Sequence, residues 1–330
     1  MPTQSLFSFA RLSRRTLAAS LMAGAMALAL PAQAEIKGLD IIAPANPGGG
    51  WDQTARAMQA ALQTDGLASG IQVENIGGAG GTVGLAQFVS SKGKKGDAVL
   101  VGGLVMVGAI LTNKSPVTLA NVQPLARLTG EYQIVVVPAE SPIQNLGDLV
   151  AKLKADPGAV SWGGGSAGGT DHIMAGLIAK AAGVDPTKVN YIAHSGGGEA
   201  LSAILGGHVT AGISGYQEFA PQIAAGKLRG IAISAAEPVP GIDVPTLKSQ
   251  GVDVSLINWR GLFVGAGVKE KDMAALSDAV AKMVQGPTWQ ATLKERGWLD
   301  MYQPAKEFGA FLADDQAKVE STLKAIGLVQ

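Results

Sequence analysis

Pro44-Ala45-Asn46-Pro47-Gly48-Gly49-Gly50-Trp51-Asp52 separates two runs of different character. Before it, Leu39-Asp40-Ile41-Ile42-Ala43 reads as a short buried strand. After it, Ala55, Met58, Ala61 and Leu62 fall on one helical face. The stretch is therefore a strand–loop–helix junction, with Asp52 where an N-cap or first-turn acid would sit and Pro47 outside the helix interior. Three glycines leave the backbone unshielded, so a ligand can approach the amides closely. Free N–H groups at a helix start, reinforced by the helix dipole, receive anions. A glycine run by itself also serves as a plain turn. The chain, however, repeats the device three more times.

The second repeat follows the strand Ile71–Asn75 and runs Gly77-Gly78-Ala79-Gly80-Gly81-Thr82-Val83-Gly84 into a helix from about Leu85. Val83 stands where a dinucleotide fingerprint requires its third glycine, so that pattern fails. The third, Gly163-Gly164-Gly165-Ser166-Ala167-Gly168-Gly169-Thr170, lies between the strand Ala159–Trp162 and a helix over Asp171–Ala182. The fourth, His194-Ser195-Gly196-Gly197-Gly198, follows the strand Val189–Ile192 and precedes a helix over Glu199–Leu205. Further strands are expected at Ala98–Gly102, Ile134–Pro138, Val209–Ile213, Leu228–Ser234 and within Val254–Gly265, followed by C-terminal helices from Lys269 onward without strands of their own. Strands alternating with helices at this spacing predict parallel sheets flanked by helices. Ligands of such sheets bind at the carboxyl ends of the strands, where all four glycine loops fall.

The fold expected is α/β and two-lobed, each lobe a mostly parallel sheet flanked by helices, with a ligand cleft between them. Residues 35–137 and 257–330 make one lobe and 138–256 the other. Met273, Leu276, Val280 and Met283 are to pack on the first.

Composition narrows the function. Of 330 residues, 47% are hydrophobic and 16% charged, as in a well-buried protein. Residues 1–34 read as a signal peptide: Arg11, Arg14 and Arg15, an apolar run from Leu17 to Leu30, and Ala32-Gln33-Ala34 as a cleavage site after Ala34. Ser13-Arg14-Arg15-Thr16-Leu17 also resembles a twin-arginine signal, leaving both export routes open. Removing three arginines from 26 basic residues leaves 23 against 26 acidic ones, which argues against a nucleic-acid partner. With no cysteine, an exported chain has neither disulfides nor a thiol for lipid attachment. A bacterial periplasm is the simplest destination.

Gly164-Gly165-Ser166-Ala167-Gly168 matches a nucleophile elbow, which makes an esterase using Ser166 the alternative enzymatic reading. Such a serine needs a histidine and an acid, yet His172 lies six residues after it in the same helix, and His194 and His208 are the only others. Three scattered histidines give no zinc spacing, and no phosphate-binding loop with its lysine occurs; neither metal nor cofactor is expected. What remains is recognition by amides and hydroxyls. Arg56, Arg127 and Arg260 are the candidate counter-charges.

Six motifs then occur in order: Pro47-Gly48-Gly49-Gly50-Trp51-Asp52; Glu74-Asn75 with Gly78-Ala79-Gly80-Gly81; Gly165-Ser166-Ala167-Gly168-Gly169-Thr170-Asp171-His172; Leu205-Gly206-Gly207-His208-Val209; Ala225-Gly226-Lys227-Leu228-Arg229; and Asp243-Val244-Pro245-Thr246-Leu247. Over essentially the whole mature chain this resembles the periplasmic substrate-binding proteins of tripartite tricarboxylate transporters. The resemblance implies a monomeric two-lobed binding protein that delivers an organic di- or tricarboxylate to a permease with a large and a small transmembrane subunit. Trp51 makes the first loop look closest to citrate-type members. Two departures stand out: Thr82 replaces the asparagine of many members, and Tyr191–Gly196 lacks the family's lysine. The ligand contacts expected are Asn46, Gly49, Gly50, Trp51 and Asp52; Asn75, Gly80, Gly81 and Thr82; Ser166, Gly169 and Thr170; Ser195, Gly196 and Gly197; and Ser214. Presentation of the ligand to a signalling receptor is a further role open to such a protein.

Overall fold

The computed structural model describes residues 36–194 and 197–330; residues 1–35, on which the signal-peptide reading falls, and the pair Ser195 and Gly196 lie outside them. Each glycine loop joins a strand to a helix. β1 (Ile36–Lys37), β2 (Asp40–Ala43) and α1 (Gly50–Thr64) open the fold, followed by β3 (Ala68–Ser69), β4 (Gln72–Asn75) and α2 (Thr82–Lys92). β5 (Ala98–Gly103) runs directly into α3 (Leu104–Thr112). The long β6 (Val122–Pro138) leads to α4 (Leu146–Ala155), β7 (Ser161–Gly164), α5 (Thr170–Ala181), β8 (Asn190–Ala193) and α6 (Gly197–Leu205). Then come β9 (Ala211–Gly215), α7 (Tyr216–Ala224), β10 (Leu228–Ile233) and the returning β11 (Ile257–Gly265). α8 (Glu270–Gln285), α9 (Pro287–Arg296), β12 (Leu299–Pro304) and α10 (Ala305–Ala325) complete the chain.

Among the described residues ten strands form one sheet in the order β4-β2-β5-β11-β6-β9-β7-β8, with β10 and β12 also pairing with β6. The strands that feed glycine loops, β2, β4, β7 and β8, lie in parallel sets: β4, β2 and β5 at one end, β8, β7 and β9 at the other. β6 and β11 join these sets by antiparallel pairing. The first part of β6 pairs with β11 from Val122 to Tyr132, and the rest pairs with β9 from Gln133 to Val136. A single 17-residue strand thus passes from one half of the sheet to the other.

The cores follow the same division. One apolar cluster gathers residues from Leu39 to Leu128 and from Trp259 to Ile326, with Ile173 inserted from α5. Two others draw on residues between Ile134 and Val254. This is a two-lobed α/β fold in which β6 is shared.

Three features differ from the sequence reading. β6 begins at Val122, well before the expected Ile134, because its first half carries Gln123, Pro124, Arg127 and Thr129 among the apolar residues and lacks a clean alternation. α3 was not foreseen, since Leu-Val-Met-Val-Gly-Ala-Ile-Leu-Thr is apolar on every side and has no helical period. β12 gives the C-terminal region a strand, which pairs with β6 at Leu299↔Gly130 and Pro304↔Ala126. Its sequence, Leu-Asp-Met-Tyr-Gln-Pro, has no strict alternation and no fully buried residue, so it carries no clear strand signal.

α8 buries Leu276, Val280 and Met283 in the first cluster, with Met273 packed against it, and touches α1 and β6. Met283 is fully buried, so Met283→Ala should lower unfolding stability by about 2–5 kcal/mol. Lys271→Ala, on the exposed side of the same helix, should stay within about 0.5 kcal/mol. Urea titrations of both variants measure the difference.

Candidate ligand cleft

The carboxyl ends of the parallel strands converge on a cavity of about 620 Å³. The first loop is braced from behind. Asp52 is buried and accepts hydrogen bonds from Gly48 N (2.8 Å), Asn75 Nδ2 (2.9 Å) and Arg56 Nε (3.1 Å). The same Asn75 amide donates to Ala45 O, and Arg56 Nη2 donates to Asn75 Oδ1. These bonds to the charged form hold the Asp52 carboxyl below its usual range despite the opposing effect of burial. Gly49 takes the N-cap position without a side-chain cap, so the first amides of α1 have no intrahelical acceptor. Gly50 leaves room for a side chain here: a Cβ would lie 2.3 Å from Nη2 of Arg260, which would have to move. The guanidinium therefore sits against the positive end of α1.

Arg260 is 4% exposed and forms an ion pair with Glu131, which is also 4% exposed. Asn258 Nδ2 donates to Glu131 Oε1 at 3.3 Å, and Thr170 Oγ1 donates to Asn258 Oδ1 at 3.3 Å, carrying the network to the start of α5. Burial pushes the Glu131 carboxyl upward against the pull of Arg260. Asp171 accepts from Gly165 N at 2.7 Å and so shapes the third loop; burial raises its pKa to about 7. Ser214 donates to Glu218, whose carboxylate lies where a Cβ on Gly197 would be. Gln133 is fully buried, and neither its Nε2 nor its Oε1 has a hydrogen-bond partner. Glu131, Gln133, Asp171, Glu199 and Glu218 all line the cavity with Arg260.

The second loop reaches across. Gly81 has φ +88° and a Cβ there would meet the Trp51 ring at 2.5 Å, while a Cβ on Gly80 would meet Cβ of Ala109 at 2.4 Å and lie 3.6 Å from Cβ of Ser166. Of the residues expected from sequence, Asn46, Gly49, Gly50, Trp51, Gly80, Gly81, Ser166, Gly169, Thr170, Gly197 and Ser214 line the cavity. Asp52, Asn75 and Thr82 do not; the first two brace the loop, and Thr82 Oγ1 donates to Ala79 O. Ser195 and Gly196 fall outside the described residues. Arg56 is spent on Asp52, Arg127 lies elsewhere, and only Arg260 of the three candidate counter-charges lines the cleft. Glu131, Gln133 and Glu218 went unnoticed. The available signal was a lone acid and amide, Glu131 and Gln133, at the head of the apolar run Ile134–Val137.

Ser166 has no hydrogen bond to a histidine among the described residues. His172 Nδ1 accepts from Gly168 N and its ring stacks on Tyr191 at 4.1 Å. Burial lowers the His172 pKa to about 4, so it is neutral near pH 7. His194 Nδ1 lies 3.1 Å from Gly164 O. The arrangement can bind and orient an anion, but it does not assemble a hydrolytic triad.

Known proteins agree. Residues 54–328 match the family described as "Tripartite tricarboxylate transporter family receptor". A protein of Cupriavidus necator, "UPF0065 protein in gbd 5'region", is 29% identical over 272 residues, covering 80% of each chain. A TctC solute-binding protein from Polaromonas is 28% identical with TM-score 0.65, covering 87% of this chain and 98% of that one. MatC from Rhodopseudomonas palustris, solved with bound malate, is 23% identical with TM-score 0.75, covering 88% of this chain and 99% of that one. The family is one of transporter receptors, and the Polaromonas relative is a solute-binding protein. This chain belongs to the tripartite tricarboxylate transporter receptor family.

Proposed function

We propose that the mature chain is a periplasmic, monomeric solute-binding protein. It captures a small organic di- or tricarboxylate and delivers it to a two-subunit membrane permease. The signal peptide ends at Ala34, and the lobes that close on the ligand are 35–137 with 257–330, and 138–256. The carrying observation is the seat of Arg260 against Gly50, at the free amides of α1, inside a cleft edged by glycine loops. One ligand carboxylate lies there, and a second reaches Gly80–Gly81 or the start of α5 near Ser166 and Thr170. The malate bound by a protein of the same fold supports the class. Among the described residues no helix is long and apolar enough to cross a membrane.

The acidic floor refines the choice of ligand. Glu131, Asp171 and Glu218 make the cleft costly for dense negative charge, which favours dicarboxylates over a fully ionised citrate. A thermal-shift series on the chain from Glu35, with malate, succinate, adipate and citrate, measures this. At 100 times its dissociation constant a true ligand adds about 2.7 kcal/mol of stability. The dicarboxylates should raise the melting temperature more than citrate does. Absence of a rise with every organic acid would refute the reading.

Binding should also depend on pH. An arriving anion favours the neutral forms of Glu131 and Asp171, so binding takes up protons around their raised pKa values. Affinity for a dianion is therefore full below about pH 6 and falls several-fold as pH rises through 7. Asp171→Asn keeps an acceptor for Gly165 N and should flatten that slope. Calorimetric titrations across this range check it; an affinity that rises with pH would contradict the protonated floor.

A further inference from the structure

β6 and β11 carry side chains alternately to their two faces. Glu131, Gln133, Asn258 and Arg260 face the cleft. Tyr132, Ile257 and Trp259 line a second cavity of about 380 Å³ behind the same strands. Further wall comes from α5, including Ile173 and Leu177, from α10, including Phe311 and Asp315, and from the segments around Ser234 and Ser255. The lining is largely apolar, and the volume falls within the range of small-molecule sites.

One charged group stands out in this lining. Arg127 is 9% exposed. Its Nε donates to Met301 O at 3.1 Å, and its guanidinium lies over the Phe311 ring at 4.1 Å. Among the described residues no ion pair or further hydrogen bond engages its two terminal nitrogens. Asp315 shares the cavity, but it accepts from Trp259 Nε1 at 2.9 Å, and burial pushes its carboxyl upward, reducing its hold on Arg127. Lys318 adds a second cation at the exposed rim. A buried guanidinium with donors to spare, on an aromatic and aliphatic wall, suits one carboxylate carried by an apolar body.

We infer that this cavity is a second ligand site, for a small aromatic or branched monocarboxylate whose carboxylate meets Arg127. The site is separate from the cleft and does not depend on the dicarboxylate reading. It lies on the back of β6 and β11; of these, β6 contributes residues to both the first and the second apolar clusters.

The test uses benzoate as the probe, with benzyl alcohol as a neutral analogue of similar size, followed by saturation-transfer NMR and calorimetry on the mature chain. Benzoate should bind, benzyl alcohol should bind at least about tenfold more weakly, and Arg127→Met should lose about tenfold or more for benzoate. The methionine keeps an apolar stem against Phe311, and circular dichroism reports whether the variant is folded. Ser255→Trp changes an exposed rim residue and leaves Arg127 in place; closing the mouth should also weaken benzoate binding. It decides the matter if Arg127→Met does not fold. Malate in excess should not displace benzoate. Displacement by malate, equal binding to wild type and Ser255→Trp, unchanged affinity in a folded Arg127→Met, or no benzoate binding at millimolar concentration would each overturn the proposal.

Discussion

The buried contact between Arg260 and Glu131 is the constraint around which the cleft is built. Glu131 belongs to β6, which passes between the cores, and Arg260 to its neighbour β11; the two side chains lie on one face, with Asn258 directly opposite Glu131 in the register. Burying two charges costs several kcal/mol of desolvation that their attraction roughly returns, so the pair adds little to stability. What it does is hold a guanidinium where no exposed arginine could stay. Gly50 leaves room for it, and the open end of α1 lies beside it. A cation and a set of free amides are brought to one point, with an internal carboxylate that a ligand must displace electrostatically.

That competition explains the balance of charge in the cleft. A binding protein needs to release its ligand as well as hold it. Amides alone give a weak, diffuse field; an unopposed arginine would grip any anion. Glu131 partly neutralises Arg260, Asp171 is spent on the third loop, and Glu218 lies beside the start of α6. The unpartnered amide of Gln133 points to a donor and an acceptor still to be satisfied, by ligand or by water. Specificity then rests on where the ligand is polar and how much charge it carries, not on total attraction.

Much of this was legible in the sequence, for physical reasons. The glycine loops follow β2, β4, β7 and β8, because apolar runs ending in glycine and opening into periodic segments leave few alternatives. Their convergence follows from the parallel pairing of those strands. Pairings over long separations were not legible. Glu131 and Arg260 are 129 residues apart, and nothing local to either announces the other. Asp52 and Asn75 were expected at the ligand because they sit in glycine loops, yet both serve as braces for the loop itself. Arg56 and Arg260 looked alike as sequence; one meets Asp52 on the loop's outer side, and the other is enclosed in the cleft.

The assignment of the anion seat is tested most directly by calorimetric titration of a bound dicarboxylate against two variants. Removing Arg260 alone would strand Glu131 as a buried charge, so the informative protein is Glu131→Gln with Arg260→Gln, in which both partners are neutral and close in size. The comparison is Arg56→Gln, whose partner Asp52 keeps its bonds from Gly48 and Asn75. The paired neutral variant should lose at least about tenfold in affinity, the worth of one charge-assisted hydrogen bond, while Arg56→Gln stays within about threefold of wild type. Full affinity in the paired variant together with loss in Arg56→Gln would move the anion seat to the outer face of the first loop.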